Sequence, residues 1–257
     1  MISHSWPAAL QALLAGLFTW SVTALGAAVV LFFAQAARRV MDAMLGFGAG
    51  VMLASAFFSL LSPGVALAES LGQIAWLTAA AGFLTGGLMP DVGERLLRCR
   101  MRHTSDDARR RRMLISAITL HNVPEGLAVG VAFGALAAGE PSTGPWMLAL
   151  GIGLQNFPEG AAVSLPLRRD GASRGRAFFL GQLSGAVEPV SALLGALVAA
   201  RVQAILPFML CFAAGAMVAV AVAELIPESQ RSSHPGVITL CTLLGFAVMM
   251  ALDVGLG

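Results

Sequence analysis

Charged residues are scarce in this chain, and lysine is missing altogether. Only 12% of the 257 residues are charged, and all sixteen basic residues are arginines. Soluble domains are about 25% charged and about 45–50% apolar, whereas the apolar fraction here is 57%. The composition excludes an ordinary soluble domain and indicates a protein that crosses a membrane several times.

Other absences narrow the function. The three cysteines show no close pairing, so they indicate no disulfide framework and no redox compartment. The first apolar block is too long for a signal peptide and follows no basic residue, so we expect a membrane span. The basic segment 98–112, RCRMRHTSDDARRRR, lacks the aromatic or fold context of a nucleic-acid site. We predict that it is a cytoplasmic loop, that it touches lipid head groups, and that no nucleic acid binds the protein.

The apolar residues fall into eight blocks, each long enough to cross a bilayer, which takes about 20 residues per helix. We find no linker and no soluble module, so a single domain is expected over 1–257. The predicted fold class is an all-α integral membrane protein with eight transmembrane helices. The predicted spans are 8–34, 41–62, 72–96, 113–137, 145–167, 175–200, 204–227 and 236–256.

The arginines predict the orientation. With eight spans, fifteen of the sixteen fall in loops on one face of the membrane, and only Arg201 falls on the other. The positive-inside rule makes the first face cytoplasmic, so both termini are expected outside. The predicted location is a multi-pass position in the lipid bilayer of the cell membrane, as in a bacterial inner membrane.

Two nearly identical motifs, HNVPEG at 121–126 and QNFPEG at 155–160, lie in the middle of spans 4 and 5. In each motif the first residue and the glutamate are four positions apart, so they share one helix face. The asparagine lies three positions before the glutamate, on the flank of that face. The motifs thus supply His121, Asn122 and Glu125 from span 4, and Gln155, Asn156 and Glu159 from span 5.

Three carboxylates, on Glu125, Glu159 and Glu188, fall near the midplane of their spans. Each ionised carboxylate costs about 2.5–3.5 kcal/mol there on insertion scales. Spans 4, 5 and 6 have no arginine at that depth, so protons or a bound cation must balance the charge. Imidazole beside carboxylates and amides suits Zn²⁺, Fe²⁺ or Mn²⁺ better than Na⁺ or K⁺. Met52, near the middle of span 2, could add a thioether ligand.

Prolines and glycines in these spans predict their backbone geometry. Pro124, Pro158 and Pro189 cannot donate to the carbonyls four residues earlier. Broken helices at the midplane are common in transporter ion sites, so we expect the helices to open beside the motifs. Glycines at four-residue spacing in four of the spans predict close helix packing.

The paired motif resembles that of the ZIP (Zrt/Irt-like) divalent-metal transporters, particularly the prokaryotic branch. The similarity extends to DAMLGFGAGVMLASAFFSL, GAVEP, ELIPE and the tail ALDVGLG. The resemblance implies eight helices with both termini outside, and a binuclear metal centre between helices 4 and 5 with contributions from helices 2 and 6. It implies an elevator-like motion that carries metal into the cytoplasm. By motif, His121, Glu125, Gln155, Glu159 and Met52 would bind the first ion, and Asn122, Asn156 and Glu188 would complete the second position, with Glu125 and Glu159 bridging.

The chain departs from the family pattern in three places. Many members have His at the position of Gln155, and some have Asp at the position of Asn156. The loop before span 4, often His-rich in the family, has only His103. These departures leave the preferred metal open. Polar residues nearer the span ends are candidates for the path of the ion, namely Ser59, Glu69, Glu224 and Asp253.

These observations predict an importer of divalent transition metals that works by alternating access. Zn²⁺ is the first candidate cargo, followed by Cd²⁺, Fe²⁺ and Mn²⁺, and no cofactor is expected. Two alternatives stay open: an intramembrane metallohydrolase, which the absence of HExxH disfavours, and a metal-independent proton-coupled carrier. The sequence also leaves a homodimer open.

Overall fold

The computed structural model describes residues 6–33, 38–100, 122–136 and 142–256, and over these ranges the chain forms helices and connecting turns, with no strand. Each of the eight predicted spans corresponds to one helix or part of one, and the all-α prediction is confirmed for the described residues. The helices are α1 Ala8–Phe32, α2 Arg38–Ser70, α3 Ala75–Arg100, α4 over 122–134, α5 Thr143–Arg169, α6 Arg174–Ala199, α7 Leu206–Ser229 and α8 Pro235–Leu256.

The described helices differ in how apolar they are. Five of them, α1, α2, α6, α7 and α8, are long and apolar enough to cross a membrane by length and composition. Helices α3 and α5 have 26 and 27 residues but are less apolar, and α4 is described only in part. In α5 this difference has a local cause, since the helix contains the second polar motif. Residues 98–100 of the predicted basic loop end α3, and 101–112 lie outside the described residues.

Two of the described helices contain a π-helical turn that ends two residues before a proline. In α2 the turn Ala56–Leu61 precedes Pro63, and in α7 the turn Ala221–Leu225 precedes Pro227. The backbone N–H of the residue that follows each turn donates to the carbonyl five residues earlier. A proline ring clashes with the carbonyl four residues before it, and a wider turn relieves this clash. Helix α2 therefore continues to Ser70 instead of ending near residue 62 as predicted.

The prolines of the polar motifs behave differently from the prediction. Pro158 lies inside α5, and the helix continues without interruption through it. The expected break at Pro158 is therefore wrong, and the helix continues despite the lost hydrogen bond while α1, α2 and α6 pack against it. Helix α6 is broken as expected, because Ala186 and Val187 form a turn between Arg174–Gly185 and Glu188–Ala199. For Pro124, the preceding residues lie outside the described ranges.

The helices pack in two groups. Helix α1 lies against α5 and both halves of α6, and α4 packs on α6 through Gly126 and Gly130. Helix α3 lies along α7, α8 lies along α2, and α2 also contacts α7. We call α1, α4, α5 and α6 the first bundle, and α2, α3, α7 and α8 the second bundle. They meet where α2 and α8 contact α5, and a shared apolar core there includes Met52, Ile152 and Met217.

Glycines allow the closest helix contacts, as their spacing predicts. A Cβ added at Gly130 would collide with the carbonyl oxygen of Ala192, which keeps α4 tight against α6. A Cβ at Gly86 would collide with the carbonyl oxygen of Phe212 and so push α3 away from α7. Small residues let membrane helices approach in this way, and the prediction of close packing is confirmed.

Replacing Gly86 by alanine is expected to destabilise the protein by about 1–3 kcal/mol, because α3 and α7 must separate to accept the methyl group. Thermal unfolding of the purified protein in detergent measures the effect. The matched control is Gly236→Ala, since nothing lies within 4 Å of a Cβ added at Gly236. A Tm of Gly86→Ala equal to that of the control variant would contradict the tight contact.

Candidate metal site

Helix α5 joins the two sequence motifs through a pair of amide side chains. Gln155 Nε2 donates to Glu125 Oε1 of α4 at 2.7 Å. The next residue, Asn156, donates from Nδ2 to Glu188 Oε2 of α6 at 2.8 Å. Successive residues on a helix point in different directions, so α5 reaches both neighbouring helices at one level. Each amide therefore fixes a carboxylate that comes from another helix.

The side chains at this level are buried and only partly satisfied. Glu125 is 1% exposed, Gln155, Asn156 and Glu188 are 0% exposed, and Glu159 is 9% exposed. Buried polar atoms are normally hydrogen-bonded, and an unpaired one costs about 1–3 kcal/mol. Among the motif side chains, the buried atoms without a hydrogen-bond partner in the described part of the chain are Glu125 Oε2, Glu159 Oε1, Gln155 Oε1, Asn156 Oδ1 and both side-chain atoms Oδ1 and Nδ2 of Asn122.

Oxygen atoms at this level are available to a cation, whereas the amide nitrogens of α5 donate hydrogen bonds to carboxylates. Both α5 amides use their N–H groups to hold a carboxylate, and both keep an unpaired carbonyl oxygen. Carboxylate and amide oxygens are ligands for divalent cations. The predicted nitrogen ligand, His121, lies outside the described residues. The described donors are therefore oxygens, with the Met52 thioether as the one soft candidate.

The carboxylates do not form a metal cluster by themselves. Within the described ranges, no three His, Cys, Asp or Glu side chains lie close enough together to hold a metal ion. The predicted gathering of Glu125, Glu159 and Glu188 takes the form of two amide–carboxylate pairs with Glu159 nearby. Two ion pairs of the described residues, Arg95–Asp91 and Arg231–Glu228, are exposed and involve none of these glutamates. A cation site here needs the amides, or residues outside the described ranges.

Met52 approaches this level from the second bundle. It is 1% exposed and belongs to the core that both bundles share. One turn before it, a Cβ added at Gly48 would lie 3.5 Å from Gln155 Cβ. Residues four apart share a helix face, so Met52 is on the face of α2 that meets α5. The structure thus brings the predicted thioether to the side of α5 that carries Gln155.

The four candidate path residues fall in three places. Ser59 Oγ donates to Asp253 Oδ2 at 2.7 Å, and both residues line a cavity of about 350 Å³ between the bundles. Glu224 lies in the π-helical turn of α7, is exposed, and is within electrostatic range of Glu159. Glu69 is exposed near the end of α2 and is not part of the cavity lining. The structure therefore groups Ser59 with Asp253, and Glu224 with Glu159.

Two polar features near the site were missed by the sequence analysis. Thr23 of α1 donates from Oγ1 to Glu188 Oε1 at 3.1 Å, and Thr19 lies one turn before it on the same face. Ser55 of α2 is fully buried, and its Oγ has no hydrogen-bond partner in the described part of the chain. The signal for the threonines was their four-residue spacing within an apolar span, the same spacing that identified the motifs.

Comparison with known proteins places this chain in a family. A family model described as ZIP Zinc transporter matches residues 102–253. Zinc transporter ZIP11 of Homo sapiens is 39% identical, over 96% of this chain and 97% of the relative. Zinc transporter GufA of Myxococcus xanthus is 41% identical, over 95% and 98%, and Zinc transporter ZIPB of Bordetella bronchiseptica is 38% identical, over 96% and 81%. The chain belongs to the ZIP zinc transporter family, whose members are transporters and not enzymes.

Proposed function

We propose that this protein imports divalent transition-metal ions, with Zn²⁺ as the main cargo, through the site between α4 and α5. The observation that carries the proposal is the group of buried, unpartnered oxygens on Glu125, Gln155, Asn156 and Glu159. A divalent cation would supply both the missing partner for these atoms and the missing positive charge. Cd²⁺, Fe²⁺ and Mn²⁺ are further candidate cargoes, because the described ligands are mostly oxygen.

The two amide–carboxylate pairs support two neighbouring metal positions. The first position would use the pair Gln155 and Glu125, with His121 and Met52 as additional ligands. The second position would use the pair Asn156 and Glu188, with Asn122 beside it. Glu125 and Glu159 would bridge the ions, and each keeps an unpartnered oxygen that can serve this role. Bridging carboxylates would let the second ion lower the repulsion between the glutamates.

The division of ligands between the bundles supports alternating access. Of the described ligands assigned above, only Met52 belongs to the second bundle, and the others belong to the first. Sliding of the first bundle past α2 would therefore carry the ion together with nearly all of its ligands. The pair Ser59 and Asp253 would face the ion on entry, and Glu224, near Glu159, would receive it on exit. Among the described residues, Glu69 makes no side-chain contact that supports a place on this path.

The orientation of the protein and its location in a cell membrane are also part of the proposal. The arginine distribution supports both termini outside and the segment 98–112 in the cytoplasm. The outer faces of α3 and α8 carry exposed apolar side chains, including Leu84, Leu88, Leu240 and Leu243, as expected for contact with lipid tails. A cell membrane, such as the bacterial inner membrane, fits these features.

Uptake of radioactive zinc into liposomes that contain the purified protein tests the proposed function. We expect accumulation that saturates with zinc concentration and is absent from protein-free liposomes. Unlabelled Cd²⁺, Fe²⁺ and Mn²⁺ added in turn would rank the cargoes by their inhibition of zinc uptake. If neither zinc nor another divalent metal accumulates, the proposal fails. Acidification of the lumen without metal would favour the proton-coupled carrier instead.

A further inference from the structure

Glu188 is held by hydrogen bonds from two other helices. Asn156 of α5 donates to its Oε2 at 2.8 Å, and Thr23 of α1 donates to its Oε1 at 3.1 Å. Both carboxylate oxygens therefore have a donor, whereas Glu125 and Glu159 each keep an unpartnered oxygen. Glu188 also begins the second half of α6, directly after the helix break. Its side chain is thus fixed from two sides at a point where its own backbone is interrupted.

The position of Thr23 is itself set by tight packing. A Cβ added at Gly185 would lie 2.8 Å from Glu188 Oε1 and 3.0 Å from Thr23 Cβ. A Cβ added at Gly160 of α5 would collide with the carbonyl oxygen of Thr23. Two glycines from different helices therefore confine Thr23 next to the carboxylate. Such confinement reduces the entropy that the hydroxyl loses on bonding to Glu188.

The Thr23 hydroxyl has one proton and two acceptors in reach. One acceptor is the carbonyl of Thr19, at 3.3 Å, and the other is Glu188 Oε1, at 3.1 Å. A carboxylate is the stronger acceptor, because hydrogen bonds to charged groups are roughly twice as strong as neutral ones. The proton is therefore used to hold Glu188, with the Thr19 carbonyl as an alternative partner.

We propose that Thr23 is a positioning residue for metal transport, which fixes the Glu188 carboxylate beside the second metal position. This inference deepens the proposed function and depends on it. With Oε1 held by Thr23 and Oε2 held by Asn156, both oxygens of the carboxylate are restrained at once. Without the hydroxyl, Oε1 loses the Thr23 donor, and an ion meets a carboxylate that is less ordered.

The substitution Thr23→Val tests the proposal, because valine has the shape of threonine without the donor. We expect kcat/KM for zinc uptake to fall roughly tenfold, as for the loss of a hydrogen bond to a charged group. Thr23→Ser keeps the donor and should keep most of the uptake, although it removes a methyl group. Thr23→Ala should resemble Thr23→Val. Uptake by Thr23→Val equal to that of the unmodified protein would overturn the proposal.

A double-mutant comparison separates positioning from packing. In a Glu188→Ala background the hydroxyl has no carboxylate to hold, so adding Thr23→Val should cause no further loss. An equal fold-loss in both backgrounds, or a loss in Thr23→Ser as large as in Thr23→Val, would mean that Thr23 acts through packing and would overturn the proposal. All rates are normalised to the amount of protein in the liposomes.

A measurement of zinc binding tests the role of Thr23 independently of transport. Zinc is added to the purified protein in detergent, and the rise in Tm is followed against zinc concentration. We expect Thr23→Val to need about tenfold more zinc than Thr23→Ser for the same rise. If the unmodified protein takes up no metal, the proposed function fails, while this measurement still decides whether Thr23 orders the site. Equal zinc dependence of the two variants would overturn the inference even where uptake is observed.

Discussion

Replacing Glu125 or Glu159 by alanine should reduce zinc uptake by more than about a hundredfold, whereas Asn156→Ala should reduce it by about tenfold. Both glutamates are buried, and each has an unpartnered oxygen in addition to its place beside the α5 amides. As bridging ligands they would contact both ions, so losing one weakens two positions. Asn156 contributes one unpartnered oxygen, and its Nδ2 donates to Glu188 and to the carbonyl of Thr19. Initial rates of uptake in liposomes measure the difference.

The control for this series is Asp91→Ala. Asp91 is an exposed carboxylate on α3 that pairs with Arg95 at 2.8 Å, so the substitution removes an exposed negative charge and none of the proposed ligands. Its uptake should match that of the unmodified protein. Equal losses at Glu125, Glu159 and Asn156 would argue against bridging, because a ligand of one ion would then matter as much as a ligand of two.

The number and order of the helices follow from the sequence because hydropathy over a span depends little on tertiary packing. The glycine spacing likewise predicted close helix packing correctly, as in the contact of Gly130 with Ala192. Prolines were less informative. A proline removes the same hydrogen bond in each helix, but the result depends on the surroundings: a π-helical turn before Pro63, a continuous helix at Pro158 and a break before Pro189. Neighbouring helices decide among these outcomes.

The candidate site was likewise predictable from the sequence only in part. Spacing and depth were sufficient to bring Glu125, Gln155 and Asn156 to one level. They could not show that adjacent residues of α5 form hydrogen bonds with different helices. Which helix each residue reaches depends on how α5 is rotated between α4 and α6. The contact between Thr23 and Glu188 was out of reach for the same reason, since it joins residues 165 positions apart.

Cross-linking α5 to α8 should abolish uptake reversibly. A Cβ added at Gly151 would lie 2.8 Å from Met249 Cε, so the Met249 side chain of α8 reaches α5, and a disulfide between cysteines at these two positions would join the two bundles. The three native cysteines are first replaced, and the pair Gly151→Cys with Met249→Cys is oxidised in liposomes. Uptake should stop because the bundles can no longer slide past each other, and a reducing agent should restore it.

The matched cross-link lies within the second bundle. A Cβ added at Gly46 of α2 would lie 2.9 Å from Ile238 Cγ2 of α8, so the pair Gly46→Cys with Ile238→Cys joins helices that move together under alternating access. Oxidising this pair should leave uptake at the rate of its reduced form. Continued uptake with the α5–α8 cross-link closed would show that the ion passes without relative movement of the bundles. In that case the ion would have to leave its first-bundle ligands while those ligands stay in place.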